Sequence, residues 1–427
     1  MSLKKSGYLP RVIDSKLKEY LEIFGAISVE GPKWCGKTWA SLNHAKSVNY
    51  IMDPSGSYSN RERARLDPTL ALEGDKPRLI DEWQEVPGIW DAVRFDIDQE
   101  KKKGKYILTG SITPPRESYS HSGTGRFAIV RMRPMSLFES GDSTGVISFC
   151  SLLRGEPVQS FSADIDLKHL INITVRGGWP ETLDIPIESA GRVSEEYLRL
   201  ISKNELFDKK RNTAKLKKLL STLARNNATS ASLSTLSGDS EVQEALLEDA
   251  VSLARQTTAE YLDDLKKIFV IEDIFGWTPD IRSKTRIRMA PKTIFADPSL
   301  AIAALGLNSN RLLEDLKTFG FMFENLCLRD ILVYAENVGG TVLHYRDNSG
   351  LEADAIVEMP DGSWSAFEIK LGEHQVEEAA ASLCRLRDKM ISNGATPPTC
   401  LCVITGGGFS RQRDDGVCVV PINALKP

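Results

Sequence analysis

Residues 26–38 read Ala-Ile-Ser-Val-Glu-Gly-Pro-Lys-Trp-Cys-Gly-Lys-Thr, and the expected roles of the other segments follow from this stretch. Its alternating, β-branched start predicts a strand that ends at Gly31, and the segment after Thr38 predicts a helix. A strand, a loop bounded by Gly31 and Gly36, and Lys-Thr at a helix start form the context in which a phosphate-binding loop occurs. We therefore predict that residues 31–38 bind a nucleoside triphosphate, ATP. An ordinary glycine turn between strand and helix is the alternative.

The positions of this loop have distinct expected roles. Backbone N–H groups and the helix N-terminus attract phosphate, and glycine at 31 and 36 lets the backbone come close to it. Lys37 is expected on the β- and γ-phosphates, and the Thr38 hydroxyl on Mg²⁺. The predicted nucleotide-binding residues are Gly31, Pro32, Lys33, Trp34, Cys35, Gly36, Lys37, Thr38, Trp39 and Ser111.

Bulk composition limits the class of protein. A length of 427 residues predicts two or three domains, and a net charge of −4 gives no overall attraction to nucleic acid, so such binding would need a local patch. Seven cysteines without a CxxC pair indicate reduced thiols. The chain has no apolar run of about 18 residues and no signal-like start, so we expect no membrane span and a cytoplasmic protein.

A short apolar strand at 77–82 ends in two acids, Asp81 and Glu82. In P-loop ATPases the first such carboxylate holds Mg²⁺ through water and the second orients the attacking water. We predict these roles for Asp81 and Glu82, with a solvated strand end as the alternative. The alternation of strands and helices in this region predicts a parallel, doubly wound sheet.

Two more polar positions follow in the same region. Ser111, with Thr109 as the alternative, stands at the tip of the next strand and is a candidate sensor of the γ-phosphate. Arg126 begins a further strand and could stabilise negative charge on a nucleotide bound by this chain or by a neighbouring subunit. A surface arginine at a strand start fits the spacing equally well.

Together these motifs resemble the prokaryotic AAA-type ATPases that carry a domain of unknown function, number 4143, after the ATPase core. The resemblance rests on segments at 10–14, 26–38, 80–87, 108–111, 125–126, 133–137, 176–181 and 291–297. Lys33 and Trp34 stand where the family usually has Arg-Gln, which leaves the phosphate cradle intact. The resemblance implies an ATP-binding AAA-like domain and does not supply a substrate.

The middle of the chain reads as helical. Segments at 214–225, 241–255 and 257–267 predict a winged-helix unit. Its last helix carries Glu260, Asp263 and Asp264, which argues against reading of the DNA major groove by this helix.

A basic segment follows at 281–289. If it is extended, its four cations lie on one face, because side chains alternate along a strand: Arg282, Lys284, Arg286 and Arg288. Such a face suits the phosphate backbone of DNA or RNA, or an acidic protein partner. A charged edge strand that resists aggregation is the alternative.

The C-terminal region contains a second group of acids. Asp354 lies in an alternating strand, and Glu368-x-Lys370 follows on the other side of a turn at 360–362. With Glu324 on a helix upstream, this pattern resembles the metal site of the PD-(D/E)XK nuclease superfamily. The resemblance implies Mg²⁺ on Glu324, Asp354 and Glu368, with Lys370 beside the reacting phosphate. A solvated hairpin, or a degenerate relative that only binds, is the alternative.

These observations predict an α/β multidomain chain. We expect a P-loop AAA-type ATPase core with a parallel sheet at 1–140, a helical connecting or lid region at 141–205, a winged-helix-like domain at 206–300 and a restriction-endonuclease-like α/β domain at 301–427. One function that fits is ATP hydrolysis coupled to nucleic-acid handling. The other is an ATP-gated switch that binds a partner protein and has a non-cleaving C-terminal domain. Both a monomer and a homo-oligomer remain open.

Overall fold

The computed structural model describes residues 3–114, 122–158, 161–162, 165–203, 212–230, 235–236, 255–280 and 289–427. The chain divides into two compact units, Met1–Pro134 with Lys267–Phe269, and Met135–Lys266 with Val270–Pro427. The domain boundaries expected after residues 140, 205 and 300 stay predictions. The basic positions Arg282, Lys284, Arg286 and Arg288, and nearly all of the helix expected at 241–255, lie outside the described residues.

The first unit contains a five-stranded parallel sheet in the order β2-β3-β4-β1-β5. Its strands are β1 (Ala26–Glu30), β2 (Ser47–Tyr50), β3 (Arg78–Asp81), β4 (Tyr106–Gly110) and β5 (Phe127–Arg131). Its helices are α1 (Ile13–Ile23), α2 (Lys37–His44), α3 (Ser55–Leu66) and α4 (Gly88–Glu100). The interior strand β4 is buried at every position, as parallel sheets require. The parallel α/β sheet predicted from the sequence is confirmed.

This strand order determines where the predicted nucleotide site lies. β4 stands between β1 and β3, and all three run in the same direction. The carboxyl ends of parallel strands meet at one edge, where ligands of open α/β sheets bind. The phosphate loop follows β1, Glu82 follows β3 and Ser111 follows β4, so the topology alone gathers them at this edge.

The second unit combines helices with a seven-stranded mixed sheet in the order β10-β11-β12-β13-β15-β14-β7. Its remaining strands pair as β16 with β6 and β8 with β9. The strands are β6 (Ile147–Ser148), β7 (Phe161–Ser162), β8 (Ile271–Ile274), β9 (Lys292–Phe295), β10 (Thr341–Arg346), β11 (Glu352–Glu358), β12 (Trp364–Lys370), β13 (Cys400–Thr405), β14 (Phe409–Gln412), β15 (Cys418–Pro421) and β16 (Leu425–Lys426). The helices of this part of the chain are α5 (Phe149–Leu153), α6 (Leu167–Arg176), α7 (Ile187–Ser202), α8 (Thr213–Arg225), α9 (Arg255–Lys267), α10 (Pro298–Ala304), α11 (Ser309–Glu314), α12 (Leu316–Asn337) and α13 (Val376–Ser392).

The hairpin expected near the C-terminus is present. β11 and β12 pair antiparallel, with Ala355 opposite Phe367, and the Met359 N–H donates to the Ser363 carbonyl across the turn. β12 then runs parallel to β13, as a strand reached through the crossover helix α13 must. The α/β multidomain fold class is thus confirmed, with a parallel sheet, a helical middle and a mixed sheet. The winged-helix assignment stays a prediction, since residues 241–254 are outside the described part.

A buried ionic network holds the second unit together around Arg329 on α12. The Arg329 side chain is 2 % exposed and donates to Asp297 at 2.8 Å and to Asp330 at 2.8 and 2.9 Å. Asp297 also accepts from the Gly178 N–H at 2.9 Å, and Asp330 from the Leu137 N–H at 2.9 Å. Residues from three of the segments on which the family resemblance rests therefore take part in one buried network, which gives them a structural role.

In the described parts of the chain, no helix combines the length and the apolar character needed to cross a membrane.

Candidate functional site

The phosphate loop connects β1 to α2, and its two glycines are required by its conformation. A Cβ on Gly31 would lie 2.0 Å from the Met132 carbonyl oxygen, so only glycine fits against the end of β5. Gly36 has a φ of 100° and precedes the first residue of α2, a left-handed conformation that other residues rarely adopt. The loop thus has the close-packed, glycine-dependent backbone expected of a phosphate cradle.

Lys37 is directed back into this loop. Its side chain is buried, and Nζ donates to the Gly31 carbonyl at 2.9 Å and to the Pro32 carbonyl at 2.7 Å. The ammonium is therefore held by the loop itself rather than by a carboxylate. It supplies a positive charge at the site where the sequence predicts phosphate.

The middle of the loop is fixed by Arg11, a residue to which the sequence analysis assigned no role. Its Nη1 donates to the Cys35 carbonyl at 2.6 Å and its Nη2 to the Arg133 carbonyl at 2.8 Å. Cys35 is fully buried, with Sγ 3.6 Å from the Met132 carbonyl oxygen. Trp34 and Trp39, in contrast, are 43 % and 44 % exposed. The only sequence signal for Arg11 was its place in the first family segment.

The expected Mg²⁺ residues are adjacent. Thr38 Oγ1 donates to Asp81 Oδ1 at 2.7 Å, and Thr109 Oγ1 donates to the same oxygen at 2.7 Å. Burial raises the pKa of Asp81, while the hydrogen bonds from Thr109 and Thr38 oppose this shift. A hydroxyl and a carboxylate are the hard oxygen donors that Mg²⁺ takes. The donor set fits the ion that the resemblance implies.

Glu82 has a special backbone conformation and defined partners. Its φ of 59° and ψ of 46° are left-handed, which is costly for a residue with a Cβ and is often found at functional sites. Its Oε2 accepts from Ser111 Oγ at 3.0 Å and from Gln84 Nε2. Its N–H lies 3.3 Å from Thr109 Oγ1. Gln84 was missed as a partner, since a neighbouring amide gives no distinctive motif.

Arg126 is placed apart from these groups. Its carbonyl accepts from the Ala26 N–H at 3.2 Å, so it lies at the amino ends of β1 and β5, the edge opposite the phosphate loop. Its Nε donates to Asp98 at 2.8 Å, and the side chain is 46 % exposed. The structure does not bring Arg126 together with Lys37. A role toward the nucleotide of a neighbouring subunit stays a prediction.

The C-terminal acids do come together, with a lysine that the sequence analysis did not single out. Lys292 on β9 lies 2.6 Å from Glu324 and 3.4 Å from Asp354. Lys370 lies 3.5 Å from Asp354 and 2.5 Å from Glu368. The five side chains form an alternating series of acid and base, here called the ion chain: Glu324, Lys292, Asp354, Lys370 and Glu368.

The charges of the ion chain depend on one another. Burial lowers the pKa of Lys292, but Glu324 and Asp354 outweigh this effect and hold the pKa above its ordinary value. Burial raises the pKa of Asp354, but the two lysines outweigh it, so that this pKa is lowered. For the outer acids burial dominates, followed by the charge of Asp354, and raises the pKa of Glu324 to about 7 and of Glu368 to about 8.

These residues do not fit a divalent cation in the arrangement observed. Among the described residues, no group of three or more His, Cys, Asp or Glu side chains converges in a way that could hold a metal. Asp354 already uses both oxygens: Oδ1 faces Lys292, while Oδ2 accepts from the Ile369 N–H at 2.8 Å and faces Lys370. The oxygen chemistry suits Mg²⁺, but ammonium groups stand against the oxygens that would bind it.

Comparisons with known families cover most of the chain in three parts. Residues 24–140 match the AAA domain, residues 167–311 match a domain of unknown function (DUF8612), and residues 319–425 match a domain of unknown function (DUF4143). Two uncharacterised proteins, one from Mycobacterium bovis and one from Mycobacterium tuberculosis, are each 23 % identical over 362 residues. The match covers 83 % of this chain and 72 % of theirs.

Two solved structures are similar at low identity. The Walker-type ATPase of Pyrococcus abyssi is 14 % identical with a TM-score of 0.43, over 71 % of this chain and 97 % of that one. The Orc1 protein of Aeropyrum pernix in complex with DNA is 13 % identical with a TM-score of 0.28, over 73 % and 95 %. The family matches alone identify a segment similar to the AAA domain in the N-terminal part of the chain and a segment similar to the domain of unknown function DUF4143 in the C-terminal part.

Proposed function

We propose that this chain binds ATP with Mg²⁺ through residues 31–38 and hydrolyses it, with Glu82 orienting the attacking water. The observation that carries the proposal is the pair of hydrogen bonds from Thr38 and Thr109 to Asp81, directly before Glu82. They join the start of α2 and the ends of β3 and β4 at the sheet edge that also holds the phosphate loop. An isolated glycine turn would not need these partners.

Each residue has a defined part in this reaction. Lys37 would release the loop carbonyls and pair with the β- and γ-phosphates, while Thr38 and Asp81 would hold Mg²⁺. The ion would neutralise charge that develops on the phosphates. Ser111 and Gln84 both donate to Glu82 Oε2, so a γ-phosphate that engages Ser111 would remove one of the two hydrogen bonds on that oxygen. Gln84 would still hold the carboxylate in place beside the attacking water.

Steady-state hydrolysis of ATP by three variants tests the proposal. Lys37→Ala should lose nucleotide binding, because the phosphates lose their cation. Glu82→Gln should keep ATP but hydrolyse it at least tenfold more slowly, a barrier increase of about 1.4 kcal/mol. Glu85→Gln, in the same short helical turn, is the matched control and should behave as wild type. Hydrolysis by Glu82→Gln at the wild-type rate would show that another group activates the water.

We also propose that ATP hydrolysis is coupled to the binding of nucleic acid. This part of the proposal rests on the sequence of residues 281–289. ATP hydrolysis should rise with single- or double-stranded DNA or RNA if the basic face contacts phosphates, and should do so less at high salt. Replacing Arg282, Lys284 and Arg286 with Glu should abolish that response. If nucleic acid stimulates hydrolysis by this variant as much as by wild type, these cations do not contact the nucleic acid.

The second candidate function is an ATP-gated switch that binds a partner protein. Lys292 favours it, because the ammonium stands among the acids that a metal-dependent nuclease would use. Stimulation of hydrolysis by nucleic acid would support the first candidate. Slow hydrolysis that no nucleic acid alters would support the switch.

A further inference from the structure

The ion chain of the second unit contains one lysine at an unusual place. The Lys292 side chain is 10 % exposed, whereas the Lys370 side chain is 28 % exposed. Lys292 reaches this position from β9, next to α12 and the β11–β12 hairpin, and touches acids from both. A buried ammonium is costly unless carboxylates surround it, and here two do. These ion pairs are therefore buried between β9, α12 and β11, and are not ion pairs of the protein surface.

We propose that the Lys292 ammonium is the resident cation of this carboxylate cluster, and that it takes the place of a divalent metal. The C-terminal domain then carries a site that is complete without Mg²⁺ or Mn²⁺. The proposal concerns the second unit only and does not depend on ATP hydrolysis in the first.

The pattern of contacts supports this assignment. Three carboxylates and two ammonium groups alternate, so every acid has a base within 3.5 Å. The central acid, Asp354, has both oxygens engaged, and one of them is fixed by the Ile369 backbone N–H. A divalent cation between Glu324 and Asp354 would have to displace Lys292, and the displaced ammonium would stay close enough to repel it.

A metal-free cluster has a clear consequence for the domain. Metal-dependent hydrolysis of a phosphodiester needs the ion to activate water and to stabilise the transition state. With Lys292 in place these acids cannot hold that ion, so the domain would not cleave a phosphodiester by this route. Lys370 is the most exposed member of the ion chain, with 28 % of its side chain exposed.

Calorimetric titration of the full chain with Mn²⁺ tests this assignment. Wild type and Asp354→Asn should bind the same number of ions, because the phosphate-loop oxygens are common to both. Lys292→Gln should gain one additional ion that wild type does not bind, since the like charge between the acids has been removed. The gain should vanish in the double variant Lys292→Gln/Asp354→Asn. Lys292→Arg, which keeps the cation, should behave as wild type.

Lys389→Gln is the matched control. Lys389 pairs with Asp347 at 2.6 Å in the same unit, but it does not belong to the ion chain. The substitution leaves Asp347 without its cation, though still hydrogen-bonded to Tyr345 and Ser349, and should add no Mn²⁺ site. A gain there equal to that of Lys292→Gln would mean that any unpaired acid recruits the metal, and would overturn the proposal.

Two further results would overturn it. One is a Mn²⁺ site in wild type that Asp354→Asn abolishes, and the other is a folded Lys292→Gln variant that gains no ion. If the Lys292 and Asp354 variants fail to fold, the double variant Thr38→Val/Asp81→Asn decides the question, because it lacks the phosphate-loop ligands. Absence of Mn²⁺ binding to that variant supports the proposal, and one bound ion contradicts it.

Discussion

Thr38 Oγ1 donates a hydrogen bond of 2.7 Å to Asp81 Oδ1, and so links the first turn of α2 to the last residue of β3. Thr109, at the end of the intervening strand β4, donates to the same oxygen. Two hydroxyl donors thus orient one carboxylate before any ion arrives. Because the ligands are already positioned, ordering them would cost little when Mg²⁺–ATP binds.

This linkage predicts that Thr38 and Asp81 act as one unit toward the metal. Thr38→Val and Asp81→Asn should each weaken binding of Mg²⁺–ATP, while binding of ATP in the presence of a chelator should change little. The double variant should bind Mg²⁺–ATP hardly more weakly than the single variant with the lower affinity, because the effects of two residues in contact do not add. Equilibrium titration with a fluorescent ATP analogue measures the affinity of wild type, the two single variants and the double variant. Strictly additive losses would show that the two side chains serve different parts of the nucleotide.

The contact between Gly31 and the end of β5 predicts a steric limit on the loop. In Gly31→Ala the new methyl group meets the Met132 carbonyl at 2.0 Å, and the loop or the strand must shift. We expect loss of ATP binding and a destabilisation of about 1–3 kcal/mol, measured by thermal unfolding. Gly320→Ala on α12 is the control, because nothing lies within 4 Å of the added Cβ and alanine is the better helix former. Retention of wild-type ATP affinity by Gly31→Ala would contradict the argument.

The parts of the site that could be predicted from the sequence are those whose signal is local. The phosphate loop, Asp81–Glu82 and Ser111 each end a strand, and the parallel order of those strands makes them converge. Arg11 could not be found in this way, because its partners lie 24 and 122 residues along the chain. No periodicity or motif encodes such a contact, which only the folded backbone creates.

Arg126 and Lys292 show the same limit of sequence-based prediction. The first was assigned to a site that it does not reach, and the second reaches a cluster to which it was not assigned. Arg126 follows Gly125 in a recognisable segment, yet it directly precedes the parallel strand β5 and so lies at the edge away from the carboxyl ends. Lys292 stands in a segment that was recognised only as part of the family resemblance. Its partner Asp354 is 62 residues away. A motif identifies which residue types are present, but the direction and order of strands decide which of them meet.

The network around Arg329 predicts a large effect on stability. Arg329→Met would leave Asp297 and Asp330 buried without their shared cation, and breaking a buried ion pair from one side costs about 3–5 kcal/mol. Arg329→Lys should recover only part of the loss, because an ammonium lacks the planar fork that reaches both acids. Denaturant unfolding of the full chain measures the change. Arg311→Met, on the exposed surface of α11, is the control and should stay close to wild type. An equally stable Arg329→Met would mean that the network contributes no net stability.

The buried imidazole of His344 on β10 should make the stability of the protein depend on pH. It is 2 % exposed, and one ring nitrogen lies 3.2 Å from the Ala290 carbonyl, which can only accept, so that nitrogen carries a proton in the neutral ring. Burial, and after it the charge of Lys292, lowers the pKa of His344 from 6.5 to about 4. The unfolded chain therefore binds a proton at a higher pH than the folded chain does. As pH falls from 6.5 to 4, stability should decrease by roughly 2–3 kcal/mol from this residue alone.

Replacing this histidine separates its contribution from other acid effects. His344→Gln keeps a polar side chain that does not titrate, so its unfolding free energy should fall less between pH 6.5 and 4 than that of wild type. His374→Gln, at an exposed histidine, is the matched control and should keep the wild-type slope. Lys292→Gln should raise the pKa of His344, because the nearby positive charge is gone. Denaturant midpoints at pH 6.5, 5.5 and 4.5 give the comparison. If wild type and His344→Gln lose stability in parallel over this range, then His344 titrates alike in the folded and unfolded chains, and burial beside Lys292 does not control its charge.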